Sequence, residues 1–354
     1  MTYPKLEINL PKIYHNGKTL VEMCRKKGIE IAAVTKVFRG HPEIARVLVE
    51  AGVTMLADSR ISNIKRLEGL EAHKMLIRIP MMSEIEELVE HVDISINSEL
   101  EVMDRISEEA LKRNKVHQVM LMVDLGDLRE GLWEDEVESV VEKVLMMKGI
   151  QLVGLGANFG CYGGIIPERH TLEKLIAMKQ GLEKKYGISI PYLSGGNSNS
   201  LHLIWEDQMP EGINHLRIGY PFVLAKEDVY DQVIEGLYDD AFRLYGEIVE
   251  IKNKPSVPIG KRGIDAFGNI PEFIDRGIRK RAIVALGRQD VRLEGITPKD
   301  EKVTILGASS DHLILDIHDS KTSYHVGDIM ELKMNYGALL AVMTSDYVMK
   351  EIII

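Results

Sequence analysis

From Ile29 onward the chain alternates short apolar runs with helix-period segments, and it does so eight times within residues 29–225. The apolar runs are IEIAAVTKV, TMLADSR, HKMLIRIP, DISINS, HQVMLMVDLG, IQLVGLGANFG, ISIPYLSGG and NHLRIGYPFVLA. Most are continuously apolar rather than alternating, as in strands covered on both faces. Between them lie amphipathic stretches such as MSEIEELVEHV, SELEVMDRISEEALKRN and ERHTLEKLIAMKQGLEKKYG. Parallel strands need crossovers of this kind, and eight such units favour closure into a (β/α)8 TIM-type barrel over an open doubly wound sheet.

Near residue 225 the texture changes. KEDVYDQVIEGLYDDAFRLYGEIVEIKN crosses over, and RAIVALG, KVTILGA, HLILDIHDS, YHVGDIMELKM and YVMKEIII then follow with turn signals between several of them. This predicts a C-terminal domain of antiparallel strands. The expected organisation is an N-terminal strand and helix over 1–28, a barrel over 29–225 and an all-β domain over 226–354. A chain of 354 residues is long for one core, which agrees with two domains.

The net charge of −10 argues against a nucleic-acid partner. MTYPKLEINL has no apolar core of a signal peptide, and no run approaches the ~20 apolar residues of a membrane helix. The two cysteines, Cys24 and Cys161, suit a reducing cytoplasm better than a disulfide scaffold. The histidines are scattered without zinc-site spacing, so no metal is expected.

Working residues of a barrel sit at the C-terminal ends of its strands, with phosphate often held after strands seven and eight. Lys36 closes the first strand. It is either a solvated charge or a partly desolvated amine able to attack an aldehyde and form a Schiff base. SGGNSNS, residues 194–200, follows the seventh strand and reads as a flexible loop or an anion cradle of backbone N–H groups and hydroxyls. Arg217 interrupts the apolar eighth strand, where a buried arginine needs either a structural ion pair or a functional partner.

Lys36, the 194–200 loop and Arg217 would be neighbours round a closed barrel. That set resembles the pyridoxal 5'-phosphate (PLP) barrel enzymes of the alanine racemase family, whose barrel is also followed by a β domain. Within it, ADSR at 57–60, GCYGG at 160–164, SGGNS at 194–198, LRIG at 216–219 and GIRKRAIVALGRQD at 277–290 are similar to the ornithine racemases. The resemblance assigns Lys36 as the Schiff-base lysine and one catalytic acid/base. It sets Arg217 against the pyridine nitrogen, which an arginine leaves unprotonated. Ser198, Ser200, Gly219 and Tyr336 match phosphate contacts, and Arg129 in DLGDLREG matches an arginine near the substrate carboxylate. Tyr336 as a β-core aromatic and Arg129 as a loop charge are the plainer alternatives.

Two departures from the family pattern stand out. The family's lysine is followed by a phosphate-binding tyrosine and Gly-His; here the stretch is one residue shorter and Arg39 precedes Gly40-His41, either supplying the phosphate charge instead or simply facing solvent. The family's catalytic tyrosine, supplied by the partner subunit, is matched by Phe267 in RGIDAFGN, which cannot transfer a proton. Cys161 and Asp265 are the candidates for the second base, against a small buried hydrophobe for the first and a substrate-ammonium partner for the second. Asp58, Asp127 and Asp265 are the candidate partners for a terminal substrate ammonium, which would be costly to bury unpaired.

The implied activity is a cytoplasmic amino acid racemase with ornithine as substrate, acting through an external aldimine and two-base proton transfer at Cα. The implied working unit is a homodimer with composite sites. The alternatives are a broad-specificity, alanine or lysine racemase, and a PLP-dependent decarboxylase or aldolase. A PLP carrier without catalysis is a further class; such carriers resemble a lone barrel, so the β domain argues against it.

Overall fold

The computed structural model describes residues 2–354. The chain opens with β1 (Lys5–Asn9) and α1 (Leu10–Arg25), and the alternation then begins with β2 (Glu30–Val34), α2 (Pro42–Glu50), β3 (Met55–Asp58) and α3 (Ile61–Lys65). It continues through β4 (His73–Leu76), α4 (Ile85–His91), β5 (Ile94–Asn97), α5 (Leu100–Lys112), β6 (His117–Met122) and α6 (Val137–Val144). β7 (Ile150–Gly156), α7 (Arg169–Tyr186), β8 (Tyr192–Asn197), α8 (His202–Trp205), β9 (His215–Ile218) and α9 (Tyr220–Leu224) complete it. Strands β2 to β9 pair in parallel and close into a barrel, as the alternation predicts.

Period-2 geometry divides the strand residues between two cores. Ala32, Val34, Met55, Ala57, Ile94, Ile96, Met120 and Met122 belong to one buried cluster, which fills the barrel. Leu76, Val119, Leu121, Leu152, Leu155 and Leu193 belong to the other, with Leu88, Met103, Ile106, Val141 and Leu175 from the surrounding helices. Because both faces are covered, the strands read as uninterrupted apolar runs.

The rest of the chain forms β10 (Phe242–Pro255), β11 (Ile278–Val284), β12 (Ile296–Pro298), β13 (Thr304–Ala308), β14 (Leu313–Asp316), β15 (Ile329–Met334), α10 (Tyr336–Thr344) and β16 (Met349–Ile353). The sheet order is β12-β15-β10-β11-β14-β13, all antiparallel. β1 joins this sheet, antiparallel to β10 and parallel to β16.

The compact units are therefore Leu10–Asp239, and the residues up to Asn9 together with Asp240–Ile354. Both expected boundaries move. α1 belongs with the barrel because its buried Asn16 donates to Phe222 O (3.2 Å) and Tyr238 O (2.9 Å) and accepts from Tyr238 N (2.8 Å). Those bonds also keep the segment after α9 with the barrel. The second unit is not purely β, since α10 is inserted before the last strand, capped by the Asn335 side chain accepting from Ala338 N (3.0 Å). The segment 226–253, read as a crossover, ends in the 14-residue strand β10.

Candidate active site

Lys36 begins a 3-10 turn at the C-terminal end of β2. Thr35, fully buried, fastens the start of that turn. Its N–H donates to Ala57 O (2.8 Å) and its hydroxyl to Asp58 Oδ2 (2.6 Å), while its carbonyl accepts from Phe38 N and Gly40 N (both 3.1 Å). Arg39 closes the turn in the left-handed region at φ 55°, and Gly40 follows at φ 58°. A Cβ at Gly40 would stand 2.6 Å from the Asn63 carbonyl oxygen, so glycine is required there by both conformation and space.

Arg217 lies on β9 beside Ala32 in the ladder, and Ala32 faces the barrel interior. Its Nη1 donates to Ser194 Oγ (2.5 Å) and its Nη2 to Ala157 O (2.7 Å). Among the described residues no carboxylate forms an ion pair with it. Desolvation pushes its guanidinium down to about 10, which still leaves it charged at neutral pH. His215 shares Ser194 Oγ at 3.0 Å, and full burial pushes its imidazole down to about 3, so it is neutral. The ring's other nitrogen has no hydrogen-bond partner. Gly156 makes room for this group: a Cβ there would sit 3.4 Å from Arg217 Nη1 and 3.1 Å from Met120 Sδ. A buried, unneutralised guanidinium aimed into a barrel fits a ligand atom that accepts a hydrogen bond and carries no proton.

β8 ends at Asn197, whose side chain caps the 3-10 turn Ser198–Leu201 by accepting from Asn199 N (3.0 Å). Ser198 Oγ accepts from Gly219 N at 3.2 Å, which joins the loops after β8 and β9. Ser198 also hydrogen-bonds to Asp228. Desolvation pushes the Asp228 carboxyl up to about 6, against the pull of Ser198 and of the nearby Lys36 cation. Backbone N–H, hydroxyl and cation thus meet where the two loops join, with the Asp228 carboxyl already on the hydroxyl, so an incoming anion takes Ser198 and the Gly219 N–H only in place of those bonds.

Cys161 lies exposed in the loop after β7, three strands round the ring from β2. Its Sγ receives a hydrogen bond from Asn197 Nδ2 (3.3 Å), and Arg129 and Arg217 both lie within electrostatic range of it. Arg129 pairs through two nitrogens with the neighbouring Glu130.

Four expected roles meet contrary geometry. Asp58 is fully buried and its oxygens are occupied by Thr35 Oγ1, Arg60 N (3.0 Å) and Asn63 Nδ2 (3.0 Å), so it cannot take a substrate ammonium as well. Asp127, 2% exposed, accepts from Tyr162 N (3.2 Å) and Gly163 N (3.0 Å) and thereby holds the Cys161 loop. Ser200 is buried with its hydroxyl donated to Gly195 O (2.6 Å), bracing the cradle rather than lining it. Asp265, in the β unit, caps its own turn by accepting from Phe267 N (2.9 Å) and Asn269 N (2.8 Å). The Asn269 N–H holds its carboxyl below the usual range, which suits a turn cap and not a base. Tyr336 opens α10 in the β unit, so it is not a β-core aromatic, and Arg39 forms the left-handed end of the Lys36 turn. Thr35, Gly156 and Asp228 were not singled out from sequence, and Ser194 was read only within the 194–200 loop as an anion contact, not as a partner of Arg217.

Comparison with known proteins follows the same lines. Residues 8–224 match the family described as "Alanine racemase, N-terminal domain". The chain is 45% identical over 352 residues to the ornithine racemase of Acetoanaerobium sticklandii, covering 99% of this chain and 100% of that protein. It is equally 45% identical to the lysine racemase of Thermotoga maritima, covering 99% and 98%. The alanine racemase of Clostridium difficile 630 shares the fold with a TM-score of 0.79 at 21% identity, covering 100% of this chain and 96% of that one. The alanine racemase of Bartonella henselae, solved with covalently bound pyridoxal phosphate, aligns with a TM-score of 0.75 at 16% identity over the whole of both chains. By sequence over nearly its full length, and by fold, this chain belongs to the alanine racemase family.

Proposed function

We infer that this protein is a PLP-dependent amino acid racemase that interconverts L- and D-ornithine. The observation that carries this reading is the convergence of Lys36, the Ser198–Gly219 cradle and the buried Arg217 at the C-terminal end of one barrel. The residues fit the cofactor: an amine for its aldehyde, N–H and hydroxyl groups for its phosphate, and an unneutralised arginine for its ring nitrogen. When bound, PLP supplies an electron sink that makes the substrate Cα proton removable.

The chain's own groups do the rest. Lys36 tethers the cofactor and moves the proton on one side of Cα, and Cys161, from a loop three strands round the ring, serves the other. Arg217 keeps the ring nitrogen unprotonated, which weakens the sink and restrains competing bond cleavages. Arg129 holds the substrate carboxylate, with Glu130 orienting it. Asp127 fixes the loop that carries Cys161.

Ornithine and lysine differ by one methylene, and a relative named for each is equally similar to this chain. Lysine is therefore the runner-up substrate. A single methylene is worth only ~10–200-fold in a binding pocket. Chiral chromatography after incubation with single enantiomers of ornithine, lysine, alanine and norvaline tests the reading. Ornithine is expected to racemise in both directions, lysine more slowly, and norvaline to lag far behind because it lacks the charged end. Equal kcat/KM for norvaline and ornithine would refute selection by the charged end and favour a broad-specificity racemase.

The working unit is proposed to be a homodimer. In its support, residues 256–277 of the β unit expose Ile259, Ile264, Ile270 and Ile274 at 71–91%, more apolar surface than a solvated loop explains. Replacing Ile264 and Ile270 together with aspartate is expected to yield monomers in sedimentation velocity with little racemase activity. An unchanged sedimentation coefficient would remove this loop from the interface. The protein is assigned to the cytoplasm on its two unpaired cysteines, and among the described residues no helix is long and apolar enough to cross a membrane.

A further inference from the structure

The segment from Asp58 to Asn63 grips both ends of the turn that carries Lys36. At the near end, the buried Asp58 carboxylate accepts the Thr35 hydroxyl on Oδ2 (2.6 Å). Its other oxygen accepts Arg60 N and Asn63 Nδ2, both at 3.0 Å, so the carboxylate is fixed to its own loop before it reaches across to β2. At the far end, Gly40 packs so closely on the Asn63 carbonyl that no side chain could intervene. Between these points Thr35 O binds the N–H groups of Phe38 and Gly40. A surface ion pair could wander with solvent; a fully buried carboxylate with three donors is held in one place.

The geometry points to Asp58 and Thr35 as positioning residues that set the direction from which the Lys36 amine meets the substrate. Asp58 thus acts on the substrate only through the lysine. This rests on the racemase reading above, in which Lys36 serves one side of Cα. Enantiomers have equal free energy, so kcat/KM in the two directions must fall together in any variant. A displaced lysine is nevertheless visible one-sidedly: proton removal becomes more rate-limiting only for the enantiomer that Lys36 deprotonates.

The test compares Thr35→Val, which keeps the shape and loses the hydroxyl, with Thr35→Ser, which keeps it. Thr35→Val is expected to lower kcat/KM by about 10²-fold, the scale of an ångström-sized misplacement. KM should change little, and the Cα-deuterium isotope effect should rise for one enantiomer only. Thr35→Ser should restore both quantities, and Asp58→Ala should repeat the Thr35→Val pattern where it folds. Amide hydrogen exchange at Phe38 and Gly40, measured on the full chain without added cofactor, should quicken in Thr35→Val and not in Thr35→Ser. Equal isotope effects for both enantiomers, or unchanged exchange at those amides, would overturn the proposal. If borohydride in the presence of PLP labels no Lys36 in the unaltered protein, the racemase reading fails instead, while the exchange result still judges the grip on the turn.

Discussion

Lys36→Ala is expected to abolish racemisation, with a fall of at least about 10⁴-fold, because two functions are lost at once. General acid–base transfer alone contributes roughly 10²–10⁴-fold, and the variant also loses the covalent hold on the cofactor. The fold should survive. The turn is secured by Thr35 and Gly40, whose hydrogen bonds and packing do not involve the lysine side chain. Thermal unfolding without cofactor should therefore stay cooperative, with any shift in midpoint coming from the Asp228 carboxyl losing its nearby cation. Borohydride treatment of the unaltered protein with PLP, followed by peptide mass mapping, should place the reduced adduct on Lys36. An adduct on another lysine would move the site away from the end of β2 and undo the roles given to Arg217 and Ser198 with it.

The barrel was legible because burial on both faces writes itself into composition. Runs such as IAAV and VMLMV have no polar face to give, and the helices between them keep their 3.6-residue period. Arg217 was legible for the same reason, as the single charge in NHLRIGYPFVLA. The carboxylates were not. Asp58 closes β3 and Asp127 lies in the loop after β6, where a free acid would be functional. Asp127 is occupied from the loop after β7, which no local pattern announces. Asp58 takes Thr35 Oγ1 from the turn after β2 as well as Arg60 N and Asn63 Nδ2 from its own loop. Asp265 is different: D-A-F-G-N carries the signature of an Asx turn, so its cap is written in the local sequence.

The second unit was less legible than the barrel. Its fold depends on β1 pairing with β10 and β16, strands more than two hundred residues away in sequence, so the N-terminal strand could not be assigned to it by local reading. α10 is apolar on all sides and gives no helical period, leaving only its Asn335 cap as a sign. The site itself divides in the same way. Lys36, Ser198 and Arg217 sit on or beside barrel strands that the pattern placed in order. Gly156 and Ser194, which make room for and orient Arg217, depend on the ladder across β7, β8 and β9.

Cys161→Ala carries the second large effect and separates the two bases. Racemisation should fall by about 10²–10⁴-fold, the contribution of one acid–base group. Lys36 would remain in place, however, and could still remove the proton from one enantiomer and return it to the same face. In D2O that enantiomer should therefore exchange its Cα hydrogen without inverting, while the other does neither. Alkylation gives an independent reading. Cys161 is exposed, whereas Cys24 is fully buried and burial pushes its thiol up to about 12, so iodoacetamide should modify Cys161 alone. Substrate with PLP should protect it, and the modified protein should show the same one-sided exchange. The thiol is held by Asn197, which also caps the Ser198 turn, so Asn197→Ala should weaken both the base and the cradle. If Cys161→Ala slows exchange of both enantiomers alike, or leaves racemisation intact, the thiol is a loop residue. The second proton must then pass through another group at the barrel mouth, with Asp228, whose carboxyl lies near 6, the first to replace by asparagine.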